Sequence, residues 1–188
     1  MKIDDIAVII LAAGQSTRFG EKKMIYQLGN GKTMLRACVE KYQTVFANVS
    51  TVLSNDPEIQ QSVKGLGVSC VISKHSSQGM SQSLIAGVQS QPNAKAWMVV
   101  LGDMPYVTVE TIMTLAVNAT EGNIVVPMCC AQQGNPVIFG RDFATNLMSL
   151  SGDVGAKQVI KDHSSSVLEV AVEDQGVLLD IDRPETIR

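Results

Sequence analysis

Five charged residues stand where a chain could do chemistry on phosphate. Arg18 and Lys23 lie in the segment from Ala12 to Lys23, AAGQSTRFGEKK, which directly follows an apolar run. A guanidinium offers phosphate oxygens a planar fork and an ammonium offers a compact point charge, so together they suit a triphosphate. Gly14 and Gly20 allow close backbone approach, and the amides of such a loop, with the hydroxyls of Ser16 and Thr17, can cradle phosphate oxygens. Asp103 ends the apolar strand pattern of WMVVLGDMP, Trp97 to Pro105. A carboxylate there is costly to desolvate unless it meets a cation, which makes Asp103 a candidate Mg2+ ligand. In LDIDRPE, Leu179 to Glu185, alternation puts Asp180 and Asp182 on one face of an extended stretch. Two acids there repel unless a cation or donors sit between them.

Plainer roles exist for each of these residues. A Gly-rich charged loop can be a solvated turn, and an aspartate before Pro105 can be a turn residue. Ser81 and Ser83, in QGMSQSLIAG, can be helix caps, and LDIDRPE can be a strand end before a helix start at Arg183-Pro184. Residue types alone leave these alternatives open. The first loop has neither GxxxxGK[ST] nor GxGxxG, which disfavours both the P-loop and the dinucleotide fingerprint.

The elements that must carry these residues alternate. Ile6 to Leu11 is a continuous apolar run, the pattern of a strand covered on both faces. Similar runs span Val49 to Leu53, Gly67 to Ile72, Trp97 to Leu101 and Ile124 to Val126. Between them, helical spacing occupies Met34 to Phe46, Ile59 to Lys64, Ser83 to Gln89 and Thr111 to Ala119. This predicts an α/β fold, a doubly wound and mostly parallel sheet, in which a loop after the first strand lies where ligands bind. Beyond residue 127, PMCCAQQGNPVIFG reads as two short strands around a Gln-Gln-Gly-Asn turn, a small antiparallel insertion. Helices over Arg141 to Leu150 and Val154 to Lys161 and a strand over Val167 to Val172 follow. No repeat or linker divides the chain, which is read as one domain over residues 1–188.

With these residues placed, the string LAAG-x-S-x-R-x-G-x-x-K resembles the signature loop of the MobA-like NTP transferase family, in its molybdenum cofactor cytidylyltransferase branch. It agrees at Ala12, Ala13, Gly14, Ser16, Arg18, Gly20 and Lys23. The resemblance implies a Rossmann-like nucleotidyltransferase fold. It also implies transfer of CMP from CTP to the phosphate of molybdopterin or molybdenum cofactor, with release of pyrophosphate. Leu11, Ala12, Ala13, Gly14, Ser16, Arg18, Lys23, Gly79, Ser81 and Ser83 would bind the nucleotide. Arg18, Lys23 and Asp103 would be catalytic, and Asp103 with Asp182 would hold Mg2+.

On the acceptor side the resemblance points to Gly134, Asn135, Pro136 and Lys157. Here the chain departs from the branch: Gln133-Gly134-Asn135-Pro136 stands where R-G-H-P is usual, and Lys157 where arginine is usual. That departure leaves room for a sugar phosphate or other small phosphorylated acceptor; a cofactor-delivery protein that does not turn over is a separate reading, against which the retention of Arg18, Lys23, Asp103 and Asp182 argues. The partner implied is a molybdenum hydroxylase or its maturation chaperone. The LAAG form of the loop goes with CTP in this family, and LAGG with GTP.

Composition sets the outer bounds. The chain has 188 residues, 45% of them apolar and 18% charged, which is ordinary for a packed globular protein. A net charge of −3 argues against nucleic acid as the main partner, because phosphate neutralisation needs a basic excess. The four cysteines make no CxxC pair and are read as reduced thiols. Asp4 and Asp5 stand where a signal peptide would be basic, and no run of about 18 apolar residues exists to span a membrane. A cytoplasmic location is expected.

Overall fold

The structure, a computed structural model, describes residues 1–14, 19–20, 22–73, 79–152 and 155–182. Its centre is β1 (Ile6–Ala12), seven residues that are all buried. It lies between β2 (Val49–Leu53) and β4 (Ala96–Leu101), parallel to both. β3 (Ser69–Ile72) extends the sheet beyond β2, also in parallel. On the other side the order continues from β4 to β7 (Val137–Gly140), β5 (Ile124–Cys129) and β6 (Gln132–Gln133). β7 runs antiparallel to both β4 and β5, and β8 (Val167–Ala171) pairs with β5 in parallel. The result is a mostly parallel α/β sheet of eight strands among the described residues.

Alternation along β1 explains why its sequence shows no polar positions. Ile6, Val8 and Ile10 enter one core with Leu35, Cys38, Val39 and Tyr42 of α1 (Met34–Gln43), Ile59 of α2 (Pro57–Ser62) and Ile112 and Leu115 of α4 (Val109–Val117). Ala7, Ile9 and Leu11 enter the opposite core with Leu84 and Val88 of α3 (Met80–Ser90), Leu147 of α5 (Ala144–Met148) and Val159 of α6 (Lys157–Asp162). Both faces are covered, so the sheet is doubly wound. A Cβ on Gly87 would collide with Ile9, so glycine lets α3 lie directly on β1. Among the described residues no helix is long and apolar enough to cross a membrane.

The predicted strands and helices are found with their ends shifted by a few residues. α1 stops at Gln43, and the helix predicted over Arg141 to Leu150 opens as a 3-10 turn, Arg141–Phe143, before α5. The hairpin is a correction. The tight turn is Cys130-Ala131, not Gln-Gln-Gly-Asn; both turn residues have positive φ, 52° and 61°, and Gln132–Gln133 is strand β6. Two consecutive positive φ values give the turn whose twist matches a hairpin, and they normally call for Gly, Asn or Asp, so Cys-Ala carries no turn signal.

Candidate active site at the carboxyl ends of β1 and β4

The chain leaves β1 to build β2 and β3 on one side, then returns to the other side of β1 through β4. This switch point is where an open α/β sheet leaves a crevice beyond the strand ends. Gly102 closes the two ends together: its N–H donates to the Leu11 carbonyl at 2.9 Å. A Cβ there would sit 3.1 Å from the Leu11 oxygen and 3.2 Å from both Ala12 Cβ and Met24 Sδ. Asp103 follows immediately, so the close packing at Gly102 also sets where its carboxylate begins.

Lys23 opens a single 3-10 turn, Lys23–Ile25, and is 5% exposed. Its ammonium donates to Asp103 Oδ2 at 2.7 Å and to Asp182 Oδ1 at 2.9 Å. Asp182 arrives from the far end of the chain because Ile181 is anchored twice. The Ile181 N–H donates to the Asp103 carbonyl at 3.1 Å, and its side chain is buried with Phe19, Leu28 and Met34. Burial disfavours charge on Lys23, but the hydrogen bonds and charges of Asp103 and Asp182 outweigh it and hold the ammonium above its ordinary pKa.

Two carboxylates against one ammonium leave a net negative charge, and Asp103 Oδ1 is buried without a hydrogen-bond partner. An orphaned carboxylate oxygen beside a second acid suits a divalent cation. Among the described residues no group of three or more metal-ligating side chains occurs.

The other predicted residues are placed as follows. The side chains of Leu11, Ala12 and Ala13 are buried, while Gly14 is exposed just beyond β1. Ser16 and Arg18 lie outside the described residues. Gly79, with φ 108°, precedes α3. Ser81 is fully buried and its Oγ has no partner, whereas the Ser83 hydroxyl donates to Ser73 Oγ at 3.3 Å. Neither serine is the N-cap of α3; Gly79 holds that position. Gly134 packs on Val177, where a Cβ would collide with the Val177 carbonyl, and the Asn135 N–H donates to that same oxygen at 2.9 Å. Gly134 to Pro136 therefore rests on the chain that leads to Asp182. Lys157 is exposed at the start of α6, while Gly155 lies close to Met80 at the start of α3.

Two positioning residues gave no sequence signal. Lys41 of α1 donates to the carbonyls of Pro105 and, at 2.6 Å, Val107, fastening the loop after Asp103. Asp174 accepts from Thr108 N–H at 2.8 Å, Thr108 Oγ1 at 3.0 Å and Gly176 N–H at 2.8 Å, tying the approach to Asp182 onto the start of α4. Both contacts join segments more than 60 residues apart, beyond the reach of any local pattern.

The MobA-like NTP transferase domain matches residues 8–167. The chain belongs to this family. The bifunctional protein GlmU of Buchnera aphidicola is 28% identical over 146 residues, covering 76% of this chain and 31% of the relative. The MobA-like chain thus spans about a third of the length of that relative. A probable molybdenum cofactor guanylyltransferase of Thermococcus sibiricus is 29% identical over 119 residues, covering 63% of this chain and 58% of the relative. Rv0371c of Mycobacterium tuberculosis superposes with a TM-score of 0.84 at 26% identity, covering 96% of this chain and 95% of that one. Rv0371c has also been solved in complex with manganese, and that structure superposes with a TM-score of 0.76 at 24% identity, covering 89% of this chain and 88% of that one.

Proposed function

We propose that this chain is a Mg2+-dependent nucleotidyltransferase that moves CMP from CTP to the phosphate of a molybdopterin-type acceptor. The observation that carries the reading is the Lys23 ammonium held between Asp103 and Asp182, with Asp103 Oδ1 unpartnered, at the switch point of the sheet. An acceptor phosphate oxygen attacks the α-phosphorus of CTP, a new P–O bond forms, the bond to the β-phosphate oxygen breaks, and pyrophosphate leaves. This transfer needs alignment and charge neutralisation more than covalent work by the protein.

Asp103 and Asp182 would hold the divalent cation, which neutralises phosphate charge when bound. Family membership and the manganese complex of Rv0371c support a divalent ion. Lys23 spends two of its three N–H bonds on the carboxylates and directs the third to a phosphate oxygen. Arg18 supports the charge that gathers on the leaving pyrophosphate. Ser81, with its buried and unpartnered Oγ, and Gly79, with φ 108°, are assigned to the nucleoside side of the site.

The guanylyltransferase of Thermococcus sibiricus supports a molybdenum cofactor acceptor, while Ala13 in the LAAG loop supports cytosine over guanine. A second reading, a sugar phosphate acceptor, draws on Gln133-Gly134-Asn135-Pro136, which lacks the charge of the R-G-H-P form. Pyrophosphate release measured with each of four nucleoside triphosphates against molybdopterin and a panel of sugar and polyol phosphates tests both. CTP with molybdopterin is expected to give the fastest release. Release only with a sugar phosphate selects the second reading, and no release with any combination defeats both.

A further inference from the structure

Cys129 ends β5 and Cys130 begins the turn into β6, with their sulfurs 3.8 Å apart. Cys129 is 2% exposed, whereas Cys130 faces solvent. Cys130 and Ala131 both hold left-handed backbone, which is unfavourable for residues carrying a Cβ. The turn therefore sustains a conformation that Gly or Asn would adopt more easily, and it sets two thiols side by side. The other cysteines are differently placed. Cys38 is fully buried, and Cys70 Sγ lies 3.4 Å from the Thr51 hydroxyl.

We propose that Cys129 and Cys130 form a vicinal dithiol site that reduces a hydroperoxide and closes to a reversible disulfide across the β5–β6 turn. The exposed Cys130 thiolate attacks a peroxide oxygen, the O–O bond breaks, Cys130 becomes a sulfenic acid, and the other oxygen leaves as water or alcohol. Cys129 sulfur then attacks the sulfenic sulfur; the S–S bond forms, the S–O bond breaks, and water departs with the Cys129 proton. Two thiols supply two electrons, which balances reduction of one peroxide.

The division of roles follows from position. Burial, together with the neighbouring Cys130 thiol, holds the Cys129 thiol above its ordinary pKa. Cys129 thus stays protonated and shielded while Cys130 meets the oxidant, then serves as the resolving thiol. Closure needs the sulfurs to approach by roughly 1.8 Å, which takes rotation of the exposed Cys130 side chain together with distortion of the peptide between the two residues. Reversibility follows from adjacency in sequence. Neighbouring Cα atoms across a trans peptide are about 3.8 Å apart, below the usual span of a disulfide, so the bridge is strained and readily reduced. β6 leads directly into Gly134 to Pro136, so the switch sits at the turn just before the strand that enters the proposed acceptor-side segment.

The full chain, treated with stoichiometric hydrogen peroxide and read by intact mass and peptide mapping, tests this without any assay of transfer. The expected product is lighter by about 2 Da, is linked between Cys129 and Cys130, shows no disulfide between chains on denaturing gels without reductant, and reverts with dithiothreitol. Cys129→Ser should instead leave a Cys130 sulfenic acid that dimedone traps, and Cys130→Ser should form no intramolecular disulfide at the same dose. The proposal is overturned if wild-type Cys130 proceeds to sulfinic acid with no link to Cys129. Linkage through Cys70 into a dimer, or no reaction at Cys130, overturns it equally.

Discussion

The Lys23 ammonium lies 2.7 Å from Asp103 Oδ2, across 80 residues of sequence, and the other oxygen of that carboxylate is buried without a partner. Asp103 thus has one oxygen engaged by a fixed internal cation and one in reserve. An amide in its place keeps the shape and loses the charge. Asp103→Asn should lower kcat/KM more than about a hundredfold, the size of losing one preorganised charge in an active site. Lys23 retains Asp182, so the melting temperature should fall by less than about 5 °C. Wild-type turnover by this variant at saturating Mg2+ would remove Asp103 from the site.

Lys23→Ala leaves two carboxylates facing each other with their nearest oxygens within about 5.6 Å, where like charges repel. Added Mg2+ should therefore raise the melting temperature of this variant more than that of wild type, because the ion supplies the charge the ammonium took with it. The transfer rate should fall by about 2–4 kcal/mol in transition-state stabilisation. The Lys23 pKa is raised in the folded state, so its ion pairs contribute fully below the ordinary lysine value of 10.5 and fade only as pH rises beyond it. Equal Mg2+ effects on both proteins would show that the two acids do not share a cation.

Asp174 contributes to stability that is lost in acid. Burial pushes its carboxyl up, but hydrogen bonds from Thr108, Thr111 and Gly176 more than offset this and hold it below the ordinary value of 3.8. A depressed folded pKa contributes stability that is present above pH 3.8 and disappears as pH falls through the lowered value. Asp174→Asn should cost about 1–3 kcal/mol at pH 7, and the gap from wild type should narrow below pH 3.8. Chemical denaturation at pH 7 and at successively lower pH measures it; a gap that is constant throughout would mean that the charge on Asp174 is irrelevant.

Ala13 is 4% exposed and lies immediately beyond β1, and in the proposed reading its methyl bounds the base site. A one-ring base should fit there better than a two-ring base. One methyl in a pocket is worth about 1–3 kcal/mol, so Ala13→Gly should relax the preference for CTP over GTP by roughly 10–200-fold without inverting it. Competition binding with Mg2+ present reports the ratio. Equal affinity of the wild type for CTP and GTP would end the cytidylyl assignment.

The sequence determined the elements because the sheet is covered on both faces. IAVIIL, short and rich in β-branched residues, fits a strand buried above and below, and the helical spacing between such runs specifies the layers that cover it. Asp103 was legible for a related reason: a carboxylate at the tip of a buried strand needs a partner. Tertiary structure alone decided which partner it has. Lys23 reads locally as a charge available to phosphate, yet 80 residues separate it from Asp103 and 159 from Asp182. Those three meet only because β4 returns beside β1 and Ile181 is buried next to Asp103. The antiparallel insertion of β7 between β4 and β5 and the Lys41 clamp belong to the same class. Periodicity records which face of an element seeks burial, whereas the pairing of distant charges depends on strand order, which no local window contains.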